Sequence, residues 1–300
     1  MRAVLLAVGA LALAGCAQLS PSAQAGSVLP VEQVRSLPRE VRETSGLALH
    51  QGRLWTINDS GDSARLYRLG LESGELMARY PIDGASNVDW EDLAQDADHL
   101  YIADCGNNRA DRRELVFYKL AWRDLDKEAA DPVPALALRV RYTDFDAQRG
   151  EGKAHNLDCE AITVVEGELW LFTKNRGDQQ SRLYRLDPNR ASQDVAPAEA
   201  FPVRGLITAA DYHAESGQLA LLGYGMGGSF GQAFIWLLPV KDRQPDWSQA
   251  HRYELAAGGQ WEALVWQGAG QLLLSAESSL FGSARLATVS VPVALSKSTN

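Results

Sequence analysis

Cysteine is scarce in this chain. There are three in 300 residues, at positions 16, 105 and 159, and no two form a Cys-x-x-Cys pair. The five histidines (His50, His99, His155, His213 and His251) show no zinc-ligand spacing. Both observations argue against a thiolate or imidazole metal centre. Positive charge is also short. Lys and Arg total 29 against 38 Asp and Glu, a formal net charge of −9, and there is no polybasic run. Nucleic acid and anionic membrane surfaces are therefore poor partners. No Walker or dinucleotide-binding glycine fingerprint occurs, and no segment sustains an apolar period of 3.6. The one long apolar run is the start, MRAVLLAVGALALAG, which is too short to span a bilayer.

That start is informative. Arg2 precedes an apolar core that stops at Cys16, and Leu13-Ala14-Gly15-Cys16 resembles the lipobox of bacterial lipoproteins. The resemblance implies a signal peptide over residues 1–15 and a lipidated Cys16 as the new N-terminus. Its acyl chains would exceed the two signals that stable anchoring needs. Ala17 stands where an inner-membrane retention signal commonly has Asp, so the resemblance points to the periplasmic face of a Gram-negative outer membrane. Without Arg2 the chain carries 28 basic and 38 acidic residues, or −10. Residues 16–27 form the lipidated cysteine and a small, polar, Pro-containing tether, and residues 28–300 remain for one globular domain, expected as a monomer.

Within that domain the pentapeptide RLYRL occurs twice, at residues 65–69 and 182–186. The flanks repeat as well. SGLALHQGRL (45–54) aligns without a gap on EAITVVEGEL (160–169), and both continue into an aromatic strand, LWTIN or LWLFT. Three more copies begin at Glu91, Thr208 and Glu262, so the anchors Ser45, Glu91, Glu160, Thr208 and Glu262 recur at intervals of about 50 residues, one interval being longer. Repeats of this length, built from several short strands, predict an all-β fold: a β-propeller with five blades of four antiparallel strands. A sixth blade hidden between Glu91 and Glu160 is the alternative. Residues 187–196 could hold a helical turn. A fourth strand precedes each later anchor, at 76–82, 135–142, 198–203 and 251–255. The last unit lacks one, and an orphan strand stands at 31–38. Ring closure by this N-terminal strand resolves both anomalies and removes an open sheet edge.

ETSGLAL…LWTINDSG (43–61), DWEDLA…LYIADCGNN (89–108), DCEAI (158–162) and WEAL (261–264) resemble secreted bacterial propellers of the SdiA-regulated family and the esterase-like, phytase-related family. The resemblance implies the fold, and in some members a calcium ion in the propeller. It does not imply one reaction.

First strands border the central channel, so the anchors form a ring. Glu43 shares the face of Ser45 two residues on, and Asp211 reaches the same region if its strand is bulged. Converging carboxylates repel and need neutralising, by a hard cation such as Ca²⁺ or by Lys174 or Arg176. The competing reading is that each Glu accepts neighbouring backbone N–H groups and ties blades together. The second strands end in loops that put Asn58, Asp59, Asp104, Asn107, Lys174, Arg176 and Glu277 on one rim, where they serve as binding groups or only as turn residues. Cys105 and Cys159, on adjacent blades, are expected to form a disulfide in an oxidising compartment. GGSFG (227–231) fits G-x-S-x-G, but it joins two strands, so Ser229 is not read as a nucleophile. The expected function is a non-catalytic propeller binding a cation, small molecule or protein at its rim. A calcium-dependent hydrolase using the channel carboxylates is the alternative.

Overall fold

Both copies of RLYRL are third strands, Arg65–Leu69 in the first blade and Ser181–Leu186 in the third, where a mid-blade strand needs apolar groups on both faces. The computed structural model describes residues 27–126, 129, 131–148, 154–225, 231–279 and 282–292. Cys16, most of the tether and Ser229 lie outside the described residues. No helix among the described residues is long and apolar enough to cross a membrane.

Each blade is a four-stranded antiparallel meander. The first runs Thr44–His50, Arg53–Asn58, Arg65–Leu69, Leu76–Asp83. The second runs Trp90–Gln95, His99–Asp104, Leu115–Ala121, Leu136–Tyr142. The third is Cys159–Val165, Glu168–Thr173, Ser181–Leu186, Pro197–Phe201. The fourth is Leu206–His213, Gln218–Tyr224, Ala233–Lys241, His251–Leu255. The fifth combines Trp261–Gly268, Gln271–Ala276 and Arg285–Ser290 with the N-terminal Glu32–Ser36, which pairs antiparallel with Arg285–Ser290. The ring is thus closed by the orphan strand. The long interval between Glu91 and Glu160 holds two helical turns, Trp122–Leu125 and Phe145–Gln148, and the two-residue strand Val133–Pro134, not a sixth blade.

Inner strands pack side by side around the axis, and the fifth meets the first. Five apolar clusters fill the spaces between neighbouring blades. Trp55 and Trp90 are buried between blades one and two, and Trp170 between three and four. Each such ring contributes on the order of 2–3 kcal/mol by leaving water. Cys105 and Cys159 are bonded between blades two and three, with Cα atoms 5.4 Å apart.

The segment that could hold a helical turn forms a strand instead. Residues 187–196 contain a strand, Ser192–Val195, and no helical turn. It runs parallel to the outer strand of blade two, burying Gln193 and Val195 on alternate positions.

Candidate functional site

All five inner strands carry a β-bulge beside the anchor residue, with register shifts at Thr44/Leu47, Trp90/Leu93, Cys159/Ala161, Ile207/Ala209 and Trp261/Ala263. A bulge inserts a residue and re-aims its side chain. Repeated five times, it turns the anchors inward at one end of the channel. There they meet the loops that follow the second strands, and together they line a cavity of about 230 Å³. Ser45, Glu91, Glu160 and Glu262 line it from the ring, and Asp59, Lys174, Arg176 and Glu277 from the rim. Asn108, Tyr224 and Gln260 complete the lining.

The anchors divide by chemistry. The Ser45 hydroxyl donates to the Glu91 carbonyl of the next blade, and Thr208 Oγ1 donates to the Trp261 carbonyl at 3.1 Å. The hydroxyl anchors therefore tie blades together, and Thr208 is not part of the lining. Among the described residues the glutamates accept no backbone N–H groups, and Glu91, Glu160 and Glu262 line the cavity. Asp211 does not reach the mouth. The bulge in its strand lies at Thr208, and Asp211 instead accepts the backbone N–H groups of Trp266 (2.9 Å) and Tyr212 (3.0 Å), joining blades four and five. Burial pushes its carboxyl up to about 7. Glu43 stands outside the lining, beside Arg42 at 3.3 Å.

Several rim residues serve the loops. Asn58 Nδ2 donates to the Glu40 carbonyl (2.8 Å) and to Asp62 (2.9 Å). Asn107 Oδ1 accepts from the N–H groups of Asp111 and Arg112, both at 3.0 Å. Asp104 is buried and held by Arg112 at 2.9 Å. This is loop chemistry of the kind Asn and Asp supply at turns.

Three further acids complete the charge pattern. Asp89 and Asp158 each stand two residues before a ring glutamate, in Asp89-Trp90-Glu91 and Asp158-Cys159-Glu160. The repeated D-x-E was the signal for them. Asp92, fully buried, reaches across the axis below the mouth. Its carboxylate accepts from Leu93 N (2.8 Å), Ile162 N (2.9 Å) and Ala210 N (3.4 Å), the last two on blades three and four.

On the blade-three side the acids are matched by bases. Lys174 Nζ lies 2.9 Å from Glu160, with both side chains buried, and Arg176 pairs with Asp158. Burial alone would lower the Lys174 pKa, but Glu160 holds it well above its usual value. Asp158 is depressed because the charges of Lys174 and Arg176 outweigh its burial. On the blade-five side, Gln260 donates to Glu277 at 2.5 Å, and burial beside Glu262 pushes Glu277 up to about 8. Glu262 is raised by burial and lies in the field of Lys174. On the side of blades one and two, Asp59, Asp89 and Glu91 bring one carboxylate oxygen each within 4.8 Å of one another. Burial and the neighbouring carboxylates push Asp89 up to about 6 and Glu91 well above the carboxylate range.

No family model matches the chain, and no curated protein matches it. Solved structures similar to it share little sequence. Kuenenia stuttgartiensis hydrazine synthase is 7% identical at a TM-score of 0.40, with 95% of this chain aligned to 62% of that one. U3-55K is 8% identical at a TM-score of 0.44, covering 86% of this chain and 98% of that one. The RRP9 WD40 repeats are 10% identical at 0.39, covering 85% and 97%. This chain spans less than two thirds of the length of the hydrazine synthase chain.

Proposed function

We propose that the protein is a binding propeller, held at the periplasmic face of the outer membrane by lipid on Cys16, whose channel mouth takes a small positively charged ligand. The observation that carries the binding reading is the mouth itself, a cavity of about 230 Å³ to which all five blades contribute polar groups and in which acids outnumber bases. Such a volume lies below that of drug-sized pockets, so it suits an inorganic cation or a small amine. A net negative, low-dielectric recess concentrates cations and repels oxyanions. The tether composition and the LAGC motif support the anchored location.

The alternative, a calcium-dependent hydrolase, finds less support. Among the lining residues there is no histidine, and the one serine, Ser45, has its hydroxyl committed to the Glu91 carbonyl. A nucleophile needs a base within hydrogen-bond reach. Two experiments test the reading. Cys16→Ser should abolish lipid labelling and release the protein to the soluble periplasmic fraction; unchanged membrane retention refutes the anchor. Titrating the purified full chain with calcium and, separately, with putrescine should give saturable binding of at least one, lost in a Glu91→Gln/Glu262→Gln variant. Binding of neither refutes the mouth as a cation site, and calcium-activated hydrolysis of p-nitrophenyl phosphate or acetate would favour the enzyme.

A further inference from the structure

We propose that Asp59, Asp89 and Glu91 form a binding site for one hard divalent cation, of which Ca²⁺ is the best match. This deepens the cation-binding reading above and rests on it. It replaces the ring of anchors with a donor set drawn from one anchor, the residue two before it, and the preceding blade's rim.

The case begins with what each acid of the mouth already has. Glu160 has Lys174, Asp158 has Arg176, Asp104 has Arg112, Glu277 has the Gln260 amide, and Glu262 lies in the field of Lys174 and Arg176. Asp59, on a loop, accepts the N–H of Ser60 and otherwise meets the Asp89 carboxyl, which itself accepts no N–H among the described residues. Glu91 is decisive. The residue has only 6% of its surface exposed, and its carboxylate lines the cavity with no hydrogen-bond partner among the described residues. A buried carboxylate without a donor is costly, and three carboxylates gathered with no ion pair of their own among the described residues are more so, since Lys174 and Arg112, the bases whose charges reach them, are paired with Glu160 and Asp104. A bound cation removes both penalties.

Gly106 provides a second, independent sign that the gap is built. A Cβ at that position would collide with Glu91 Oε1 and Asp89 Oδ2, so the glycine is what allows the two carboxylates to stand together. The backbone around it is fixed: Cys105 N and Gly106 N both donate to the Asp89 carbonyl at 3.1 Å, and Cys105 is bonded to Cys159.

The donors are all carboxylate oxygens, which select a hard ion over zinc or copper. Three carboxylates supply up to six oxygens when bidentate, on a rim loop that adjusts, and this fits the larger and more flexible shell of Ca²⁺ better than octahedral Mg²⁺. The remaining coordination positions face the cavity, where water or a ligand oxygen fills them.

The test is calorimetric titration of the EDTA-stripped full chain with CaCl₂, alongside melting curves. We expect one calcium per chain, at least tenfold weaker binding to Mg²⁺, and a melting temperature that rises with calcium by mass action. Glu91→Gln and Asp89→Asn should each weaken calcium at least tenfold, whereas Glu262→Gln should change it less than threefold. Glu91→Gln should also raise the calcium-free melting temperature, because an amide fills the gap without the cost of a buried carboxyl set against its acidic neighbours; a purely structural glutamate would lose stability instead. Absence of calcium heat, with a melting curve insensitive to calcium and a native circular dichroism spectrum, overturns the site. If putrescine still binds in that case, the cation-binding mouth stands without its metal; if neither binds, both fall. Equal loss of calcium in Glu262→Gln and Glu91→Gln overturns the donor set in favour of the ring.

Discussion

The disulfide between blades two and three makes a quantitative demand on stability. Cys105 and Cys159 are 54 residues apart, and neither sulfur is exposed to solvent. Closing a loop of that length in the unfolded chain removes entropy worth about 4 kcal/mol at 25 °C on the chain-entropy model. Replacing both residues by Ala also deletes two sulfur atoms from the cluster containing Phe117, Leu157 and Tyr142, at about 1 kcal/mol each by analogy with losing a buried methyl. The double variant should therefore lose about 4–6 kcal/mol, a large share of the roughly 5–15 kcal/mol that holds a domain together. Equilibrium unfolding in guanidinium chloride is the assay, with both proteins kept oxidised. The variant should also show a larger m-value, since an uncrosslinked denatured chain exposes more surface. A second readout is a count of thiols. The denatured, unreduced protein should offer none from positions 105 and 159. A stability loss below about 1 kcal/mol with an unchanged m-value would refute the loop-closure reasoning.

Removing residues 28–36 should lower the melting temperature by roughly 10 °C, because Leu29 leaves its buried site and about five backbone bonds are lost; removing 17–27 should leave it unchanged, and equal effects would sink the ring closure. Asp92→Ala should destabilise by about 2–4 kcal/mol in chemical denaturation, since it leaves the Leu93, Ile162 and Ala210 amides without an acceptor in the channel; a change under about 0.5 kcal/mol would show that water replaces the carboxylate. Asp211, pushed up to about 7 by burial, holds its proton more tightly folded than unfolded. Its contribution is complete below the usual carboxylate value of about 4 and is lost as pH rises through about 7, so stability should fall across that window. Asp211→Asn should flatten the fall while lowering stability at every pH, and an unaltered slope would place the effect elsewhere.

The architecture was legible because it is written locally and five times. A strand needs only its alternation and its turns, so the anchors, the four-strand units and the orphan strand could be found without knowing any distance. The two-residue strands Val28–Leu29 and Val133–Pro134 could not be found this way, because their pairing is by backbone and leaves no side-chain pattern. Asp211 was misplaced because the bulge that shifts its strand sits three residues earlier. Asp89 and Asp158 stood in plain view in DWEDLA and DCEAI, and the face-sharing rule applied to Glu43 would have found both. What no single strand encodes is which acid keeps a base. Lys174 reaches Glu160 along its own blade and Arg112 folds back on Asp104, so the uncompensated group emerges only when neighbouring blades and their loops are assembled.

The short parallel strands reveal a rule that makes the closure more than one strand deep. Val133–Pro134, on the way to the outer strand of blade two, covers the outer edge of blade one. Ser192–Val195, on the way to the outer strand of blade three, covers blade two. Val28–Leu29, on the way to the outer strand of blade five, covers blade four by pairing with Glu254 and Leu255. An unpaired outer edge is a template for unwanted strand addition, and each of these three blades has its edge shielded by the connection that builds the next. The N-terminal segment therefore does for blades four and five what residues 133–142 do for blades one and two, with a proline following the short strand or ending it in each case. Closure in this chain is the ordinary handover between neighbouring blades, performed once by a segment from the far end of the sequence.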